Sequence, residues 1–258
     1  MCTLVILYRP AHQWPLLLAG NRDEMRDRPT SPPAYHWPTQ PEVIAGLDHL
    51  GGGTWLGMNH QGVVAVVMNR EGTLGPAAGK QSRGDLVLQA LQQESAEKAV
   101  SVLLSIKPES YRAFNLFIGD NQHCYWIRNR DDDQQNQLES FPIAPGLHML
   151  ASRELDDSSH PRIKHWLPHF QASELPVPEK QQWESWTLLL AAKAPANSPD
   201  GHDAMNMDLP IGFATVSSSL IALPAASTER EPIWLYADGA PDQATFNPIK
   251  FSPSETCD

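Results

Sequence analysis

Cys2 and the cluster Asn21-Arg22-Asp23-Glu24 are the residues of this 258-residue chain whose types and spacing best suit covalent chemistry. Cysteine is small enough for removal of the initiator methionine, which would leave the Cys2 thiol beside its own α-amine. An α-amine titrates near 7.7–8.0 and a free thiol near 8.5, so the two are matched for proton transfer at neutral pH. One residue would then supply both nucleophile and base. Taken alone, a cysteine ahead of the apolar run Thr3-Leu4-Val5-Ile6-Leu7-Tyr8 is more simply the start of a buried strand. The second apolar run, Leu16 to Gly20, raises the functional reading. If the two runs pair as a hairpin across the break Pro10 to Pro15, Arg22 and Asp23 emerge about opposite Cys2. A guanidinium there favours the thiolate, and a carboxylate can hold or orient the amine. The plainer alternative is an Arg-Asp ion pair closing a strand end.

Other candidates are weaker. Cys124 lies in the apolar run His123 to Ile127 and reads as a small core residue, while Cys257 lies in a terminal tail. His165 and His169 share a helical spacing, but no third metal ligand accompanies them. Ser217-Ser218-Ser219 can line a pocket or bond neighbouring strands, and no Gly-x-Ser-x-Gly elbow is present. Trp55, beside three glycines, is either a core anchor or a cleft wall. The run Asp131 to Gln137 reads as a solvated loop, because it lacks the glycine and distal carboxylate of a calcium loop.

The elements that must position these groups are legible from turn chemistry and periodicity. Beyond the first hairpin, five prolines between Arg28 and Pro41 predict a surface loop without a regular ladder. Gly51 to Gly57 leads through the turn Asn59-His60-Gln61-Gly62 into the nearly continuous apolar strand Val63 to Met68, as expected of a strand covered on both faces. Ser82-Arg83-Gly84-Asp85 fits a capping box opening a helix with Val87, Ala90 and Leu91 on one face. A second helix is predicted from Ser95, ending before Pro108. Strands return at Phe114 to Gly119 and His123 to Arg128. Helices are expected at Pro161 to Phe170 and Lys180 to Ala192, then strands at Phe213 to Leu223, Ile233 to Ala237 and Ala244 to Phe251. Hairpins and helices in this order describe antiparallel sheets with helices packed outside, a layered α+β domain spanning residues 1–258. Strand-helix alternation is missing, and so are the glycine-rich nucleotide loops.

Composition narrows the function. With 19 Lys+Arg against 30 Asp+Glu, a net charge of −11 repels phosphate backbones, so nucleic acid is an unfavourable partner. No apolar stretch reaches the length of a transmembrane helix, and the N-terminal run has no basic residue before it and no cleavage site. Three scattered cysteines agree with a reducing compartment. The expectation is a cytoplasmic protein without a transmembrane segment.

Met1-Cys2-Thr3, Asn21-Arg22-Asp23-Glu24, Gly52-Gly53-Thr54-Trp55-Leu56-Gly57, Arg83-Gly84-Asp85-Leu86 and Phe114-Asn115-Leu116 together resemble the NRDE family, also called the transport and Golgi organisation protein 2 family. The motifs agree in order and spacing over roughly the first half of the chain. The resemblance implies an N-terminal-nucleophile hydrolase-like fold: a four-layer αββα sandwich of two stacked antiparallel sheets flanked by helices. Gly57 to Asn69 also looks like the equivalent hairpin of the choloylglycine hydrolases, cysteine amidohydrolases in which an Asn at the strand end lines the oxyanion hole. Carried over, Cys2 is the nucleophile, Arg22 and Asp23 position it, and Asn69 donates to the oxyanion. Where a second oxyanion Asn would align, this chain has Ser152 and Arg153. These two, with Asn21 and Trp55, are the expected ligand-binding residues. Two functions follow from the resemblance. One is a cysteine amidohydrolase acting on a small amide-containing ligand, with no cofactor or metal required. The other is a non-catalytic carrier of haem or lipid using the same cleft, with Cys2 as a thiolate ligand to haem iron or as a pocket wall.

Overall fold

The computed structural model describes residues 2–130, 138–196, 198 and 201–251. Met1, the run 131–137 and Cys257 therefore lie outside the described residues. Two antiparallel sheets stack face to face, and helices cover both outer faces, which is the four-layer α+β sandwich expected.

The first sheet runs β10-β1-β2-β11-β12-β13. It contains β1 (Thr3–Tyr8), β2 (Leu16–Met25), β10 (Gly146–Leu150), β11 (Phe213–Leu223), β12 (Ile233–Ala237) and β13 (Asn247–Pro248). The second runs β3 to β9 in chain order. It comprises β3 (Thr30–Ala34), β4 (Val43–Asp48), β5 (Leu56–Asn59), β6 (Val64–Asn69), β7 (Phe114–Gly119), β8 (Cys124–Asn129) and β9 (Glu139–Pro142). Helices α1 (Gly84–Leu91) and α2 (Ala96–Leu103) lie on the second sheet; α3 (Pro161–Ala172) and α4 (Glu184–Leu190) lie on the first.

Strand alternation explains the layers. In β6, Val64, Val66 and Met68 point between the sheets while Ala65 and Val67 face α1 and α2. In β1 and β2, Leu4, Ile6, Leu16 and Leu18 enter the inter-sheet core, and Val5, Leu7, Leu17 and Ala19 meet α3 and α4. Each fully buried aliphatic side chain is worth about 1.5–3 kcal/mol, so three continuous apolar layers supply the driving force.

Four strands go beyond the sequence reading. β3 occupies part of the predicted proline loop. It is an edge strand whose pairing with β4 shifts register between Ser31 and Ala34, where Pro32 and Pro33 sit, so the missing N–H groups remove no central ladder bond. β4, β9 and β10 were not expected. β2 also continues through Asn21-Arg22-Asp23-Glu24 to Met25, because β11 pairs along its whole length. At α1 the predicted capping box does not form. Arg83 occupies the cap position, while Ser82 Oγ accepts from the Gly84 N–H at 3.2 Å. At α2, Ser95 caps as expected, its side chain accepting from the Lys98 N–H.

Candidate active site

The β1–β2 register sets Thr3 opposite Asn21, which carries Cys2 to the neighbourhood of Arg22. Alternation then sorts the cluster by face. Arg22 follows Leu16, Leu18 and Gly20 onto the inter-sheet side, where Cys2 also packs. Asn21 and Asp23 project to the helical side. The Asn21 amide donates to the Leu190 and Met205 carbonyls, both at 2.9 Å, and its Oδ1 accepts from Ser218 Oγ at 2.7 Å. Although Asn21 borders the cleft, its side chain anchors the helical layer.

Asp23 is similarly engaged. Its Oδ2 accepts from Arg162 Nη1 of α3 at 2.8 Å and its Oδ1 from Thr215 Oγ1 at 2.7 Å, and Arg162 also donates to Thr3 Oγ1. The Arg162–Asp23 pair is fully buried. Toward the sulfur Asp23 acts in two opposed ways: its charge raises the thiol pKa, and its backbone N–H lowers it. The expected arrangement, with both charges facing Cys2, is thus corrected: the cation shares the Cys2 face, and the carboxylate fixes the strand from behind. Period-2 alternation forces that outcome for adjacent residues.

Cys2 is half-buried at the junction of two cavities. On one side an open polar cavity of about 430 Å³ includes Arg22, Asn69, Arg83 and Arg112 in its wall. On the other, a narrow apolar slot of about 30 Å³ runs between Leu4, Leu18, Leu56, Val66 and Ile221. Burial pushes the Cys2 thiol above its ordinary pKa and the Asp23 charge adds to the rise, while Arg22 pulls it down. Trp55 is a wall of both cavities, and the Arg22 guanidinium stacks over its ring 4.2 Å from the centroid. Glu24 lies 3.9 Å from the same guanidinium. Gly46 of β4 makes room for Trp55, since a Cβ there would meet the indole at 2.3 Å.

Asn69 ends β6 at the cavity wall. Ser152 and Arg153 do not reach it. Ser152 Oγ bonds His160 Nε2 at 3.1 Å in a buried site, and Arg153 forms a bidentate pair with Glu71. Both follow β10, which pairs with β1 on the side away from β2, so neither lines either cavity. The serine run does line the slot, with Ser218 bonded to Asn21 and Ser219 Oγ accepting from the Trp234 indole. Arg83 and Arg112 also line the cavity, although neither stands out in the sequence as a site residue. The signal available was the glycine flanking Arg83: Gly84 and Gly53 approach so closely that a Cβ on Gly53 would sit 2.6 Å from the Gly84 backbone. That contact seats α1 and its preceding arginine against the cleft. Among the described residues no group of three or more His, Cys, Asp or Glu side chains gathers to hold a metal, and no helix is long and apolar enough to cross a membrane.

Solved structures share this architecture. A Caenorhabditis elegans ortholog of N-acylethanolamine-hydrolyzing acid amidase superposes with a TM-score of 0.55 at 11% identity, covering 85% of this chain and 92% of that one. Penicillin V acylase from Agrobacterium tumefaciens gives 0.52 at 13% identity, covering 98% of this chain and all of that one. At such identities the likeness establishes the N-terminal-nucleophile hydrolase-like fold alone. In sequence, the chain is 33% identical over 171 residues to the Transport and Golgi organization protein 2 homolog of Homo sapiens and 29% identical over 171 residues to that of Bos taurus. Each match covers 60% of this chain and 58% of the relative's length. The family model described as Transport and Golgi organisation 2 matches residues 1–206, which takes in Cys2, the Asn21–Glu24 cluster, Trp55 and Asn69. With those motifs in order along four-fifths of its length, the chain belongs to the Transport and Golgi organisation 2 family.

Proposed function

We propose that the protein is a cysteine amidohydrolase in which Cys2, freed of Met1, is the nucleophile. The observation that carries the reading is the position of Cys2, half-buried where two cavities meet, with Arg22 on its own face and the Asp23 N–H on its sulfur. Burial keeps the thiol protonated, so attack needs a base, and the α-amine of the same residue supplies one. In the forward step the amine takes the thiol proton and Sγ attacks the amide carbon. The carbonyl oxygen becomes an oxyanion that the Asn69 amide, at the cavity wall, can receive. Collapse of the adduct passes the proton from the α-ammonium to the departing nitrogen and leaves a thioester on Cys2. Water, deprotonated by the same amine, then attacks the thioester; the acid departs and the thiol is restored. Arg22, held by Trp55 and Glu24, stabilises the sulfur anion while it exists. The fold shared with an acid amidase and a penicillin acylase is consistent with this chemistry.

A pulse of 4-nitrophenyl octanoate, an activated neutral acyl donor, tests the reading. The expected result is a burst of one nitrophenolate per chain with the octanoyl group on Cys2, lost in Cys2→Ala. Absence of a burst, or a burst unchanged by Cys2→Ala, would overturn it. The carrier reading of the family resemblance finds a sulfur ligand in Cys2 but charged walls around the larger cavity, which suit a porphyrin plane poorly. On the present account, haem titrated into the protein gives no saturable absorbance shift that depends on Cys2.

A further inference from the structure

The polar cavity beside Cys2 contradicts the charge of the whole molecule. The chain carries a net −11, yet five cationic side chains line this cavity against three carboxylates. All three carboxylates are already engaged. Asp48 is bridged by Arg28 at 2.6 Å, Glu24 lies 3.7 Å from Arg28 and 3.9 Å from Arg22, and Asp23 holds Arg162 from behind. Arg83 and Arg112 differ from Arg28 in one respect: among the described residues, each hydrogen bond they make is to a neutral oxygen. Arg83 Nη1 donates to the Thr73 carbonyl at 2.9 Å, to Thr73 Oγ1 at 3.2 Å and to the Ala113 carbonyl at 3.0 Å, while Nη2 donates to the Gly75 carbonyl. Arg112 donates to the Leu74, Gly75 and Gly72 carbonyls. These bonds fix where the guanidiniums stand without neutralising them. Burial, and then the neighbouring Arg112, lower the Arg83 pKa to about 10, and Cys2 and Glu24 offset only part of that. Two oriented positive charges at the wall of a cavity that opens on a nucleophile form a receptor for a carboxylate or phosphate.

We infer that Arg83 and Arg112 bind the anionic end of an amphipathic substrate, whose apolar end points to the slot beside Leu18 and Val66 and whose scissile amide lies between them at Cys2. This deepens the hydrolase proposal and rests on it for the role of the amide. The anion site itself can be measured without turnover. Binding of N-octanoylglycine, octyl phosphate and N-octanoylethanolamine to the full-length Cys2→Ala variant, followed calorimetrically, separates the two. Both anionic probes are expected to bind about tenfold more tightly than the neutral ethanolamide, the stronger of the two identifying carboxylate or phosphate. In Cys2→Ala/Arg112→Gln the preference falls to about one, and Arg112→Lys restores part of it. Equal binding of anionic and neutral probes, no saturable binding of any, or a preference that survives Arg112→Gln would overturn the inference. A nitrophenyl ester burst in the wild type would meanwhile leave the hydrolase reading standing, and a missing burst with intact anion preference would do the reverse.

Discussion

Neighbouring residues at the site divide the labour between them. Arg22 shares the face of Cys2 and stacks on Trp55, whereas Asp23 contributes a backbone N–H and turns its carboxylate inward to Arg162. Asn69, in the wall of the cavity that Cys2 borders, is the side chain we propose to meet a developing oxyanion. Its replacement by alanine is expected to slow acylation by 4-nitrophenyl octanoate about 100- to 1,000-fold while leaving the burst amplitude at one per chain. A loss of amplitude instead of rate would mean that Asn69 holds the fold of the cleft. Arg22→Ala removes one of the groups that offset the burial penalty on the thiol, so the pH at which iodoacetamide alkylates Cys2 half-maximally should move upward. An unchanged alkylation profile would detach Arg22 from the sulfur.

Elements carry these residues to one place, and the contacts between elements are where stability can be read. Strand β2 is tied to helix α3 by the buried Arg162–Asp23 pair. Removing one partner of such a pair leaves the other charge uncompensated, so Arg162→Met should cost about 3–5 kcal/mol in urea unfolding, and adding Asp23→Leu should recover part of the loss. At the junction of β5 and α1, Gly53→Ala would drive a methyl into the Gly84 backbone and is expected to cost about 1–3 kcal/mol. The hairpin that brings Arg22 near Cys2 was legible in the sequence, because two β-rich runs separated by Pro10 to Pro15 have few other ways to pair. So were the covered strand Val64–Asn69 and its terminal Asn69. Three things were hidden for physical reasons. Proline obscured β3, which its edge position permits. Adjacent residues were read as facing one target, although a strand must send them to opposite faces. The partner of Asp23 lies 139 residues away on a helix that local periodicity cannot dock. Ser152 and Arg153 stand where the resemblance to choloylglycine hydrolases would align a second oxyanion Asn, and the β10–β1 pairing puts them outside the cleft.

Across the whole molecule, charge and pH provide the clearest signatures. His160 is buried beside Ser152. Burial first, then Arg162 and Arg153, lower its pKa from about 6.5 to about 4. The folded state therefore resists a proton that the unfolded chain accepts, so stability falls as pH drops through this window. At about 1.4 kcal/mol per unit, the effect is on the order of 3 kcal/mol by pH 4. His148 acts in the opposite sense, because its bond to Asp156 raises its pKa and its contribution is lost as pH rises. The urea midpoint of the wild type should fall between pH 6.5 and 4.5 more steeply than that of His160→Gln; parallel curves would remove His160 as a source of acid lability. Against a net charge of −11, the cavity beside Cys2 carries more cationic than anionic side chains, and salt should weaken anionic probes more than neutral ones.

Mass analysis of the amino-terminal peptide, taken from protein pulsed with 4-nitrophenyl octanoate, addresses the central assignment most directly. The account predicts a peptide that starts at Cys2 with a free α-amine and carries a single octanoyl thioester on that sulfur. A peptide that retains Met1, or an octanoyl group found on Cys124 with Cys2 unmodified, would contradict it.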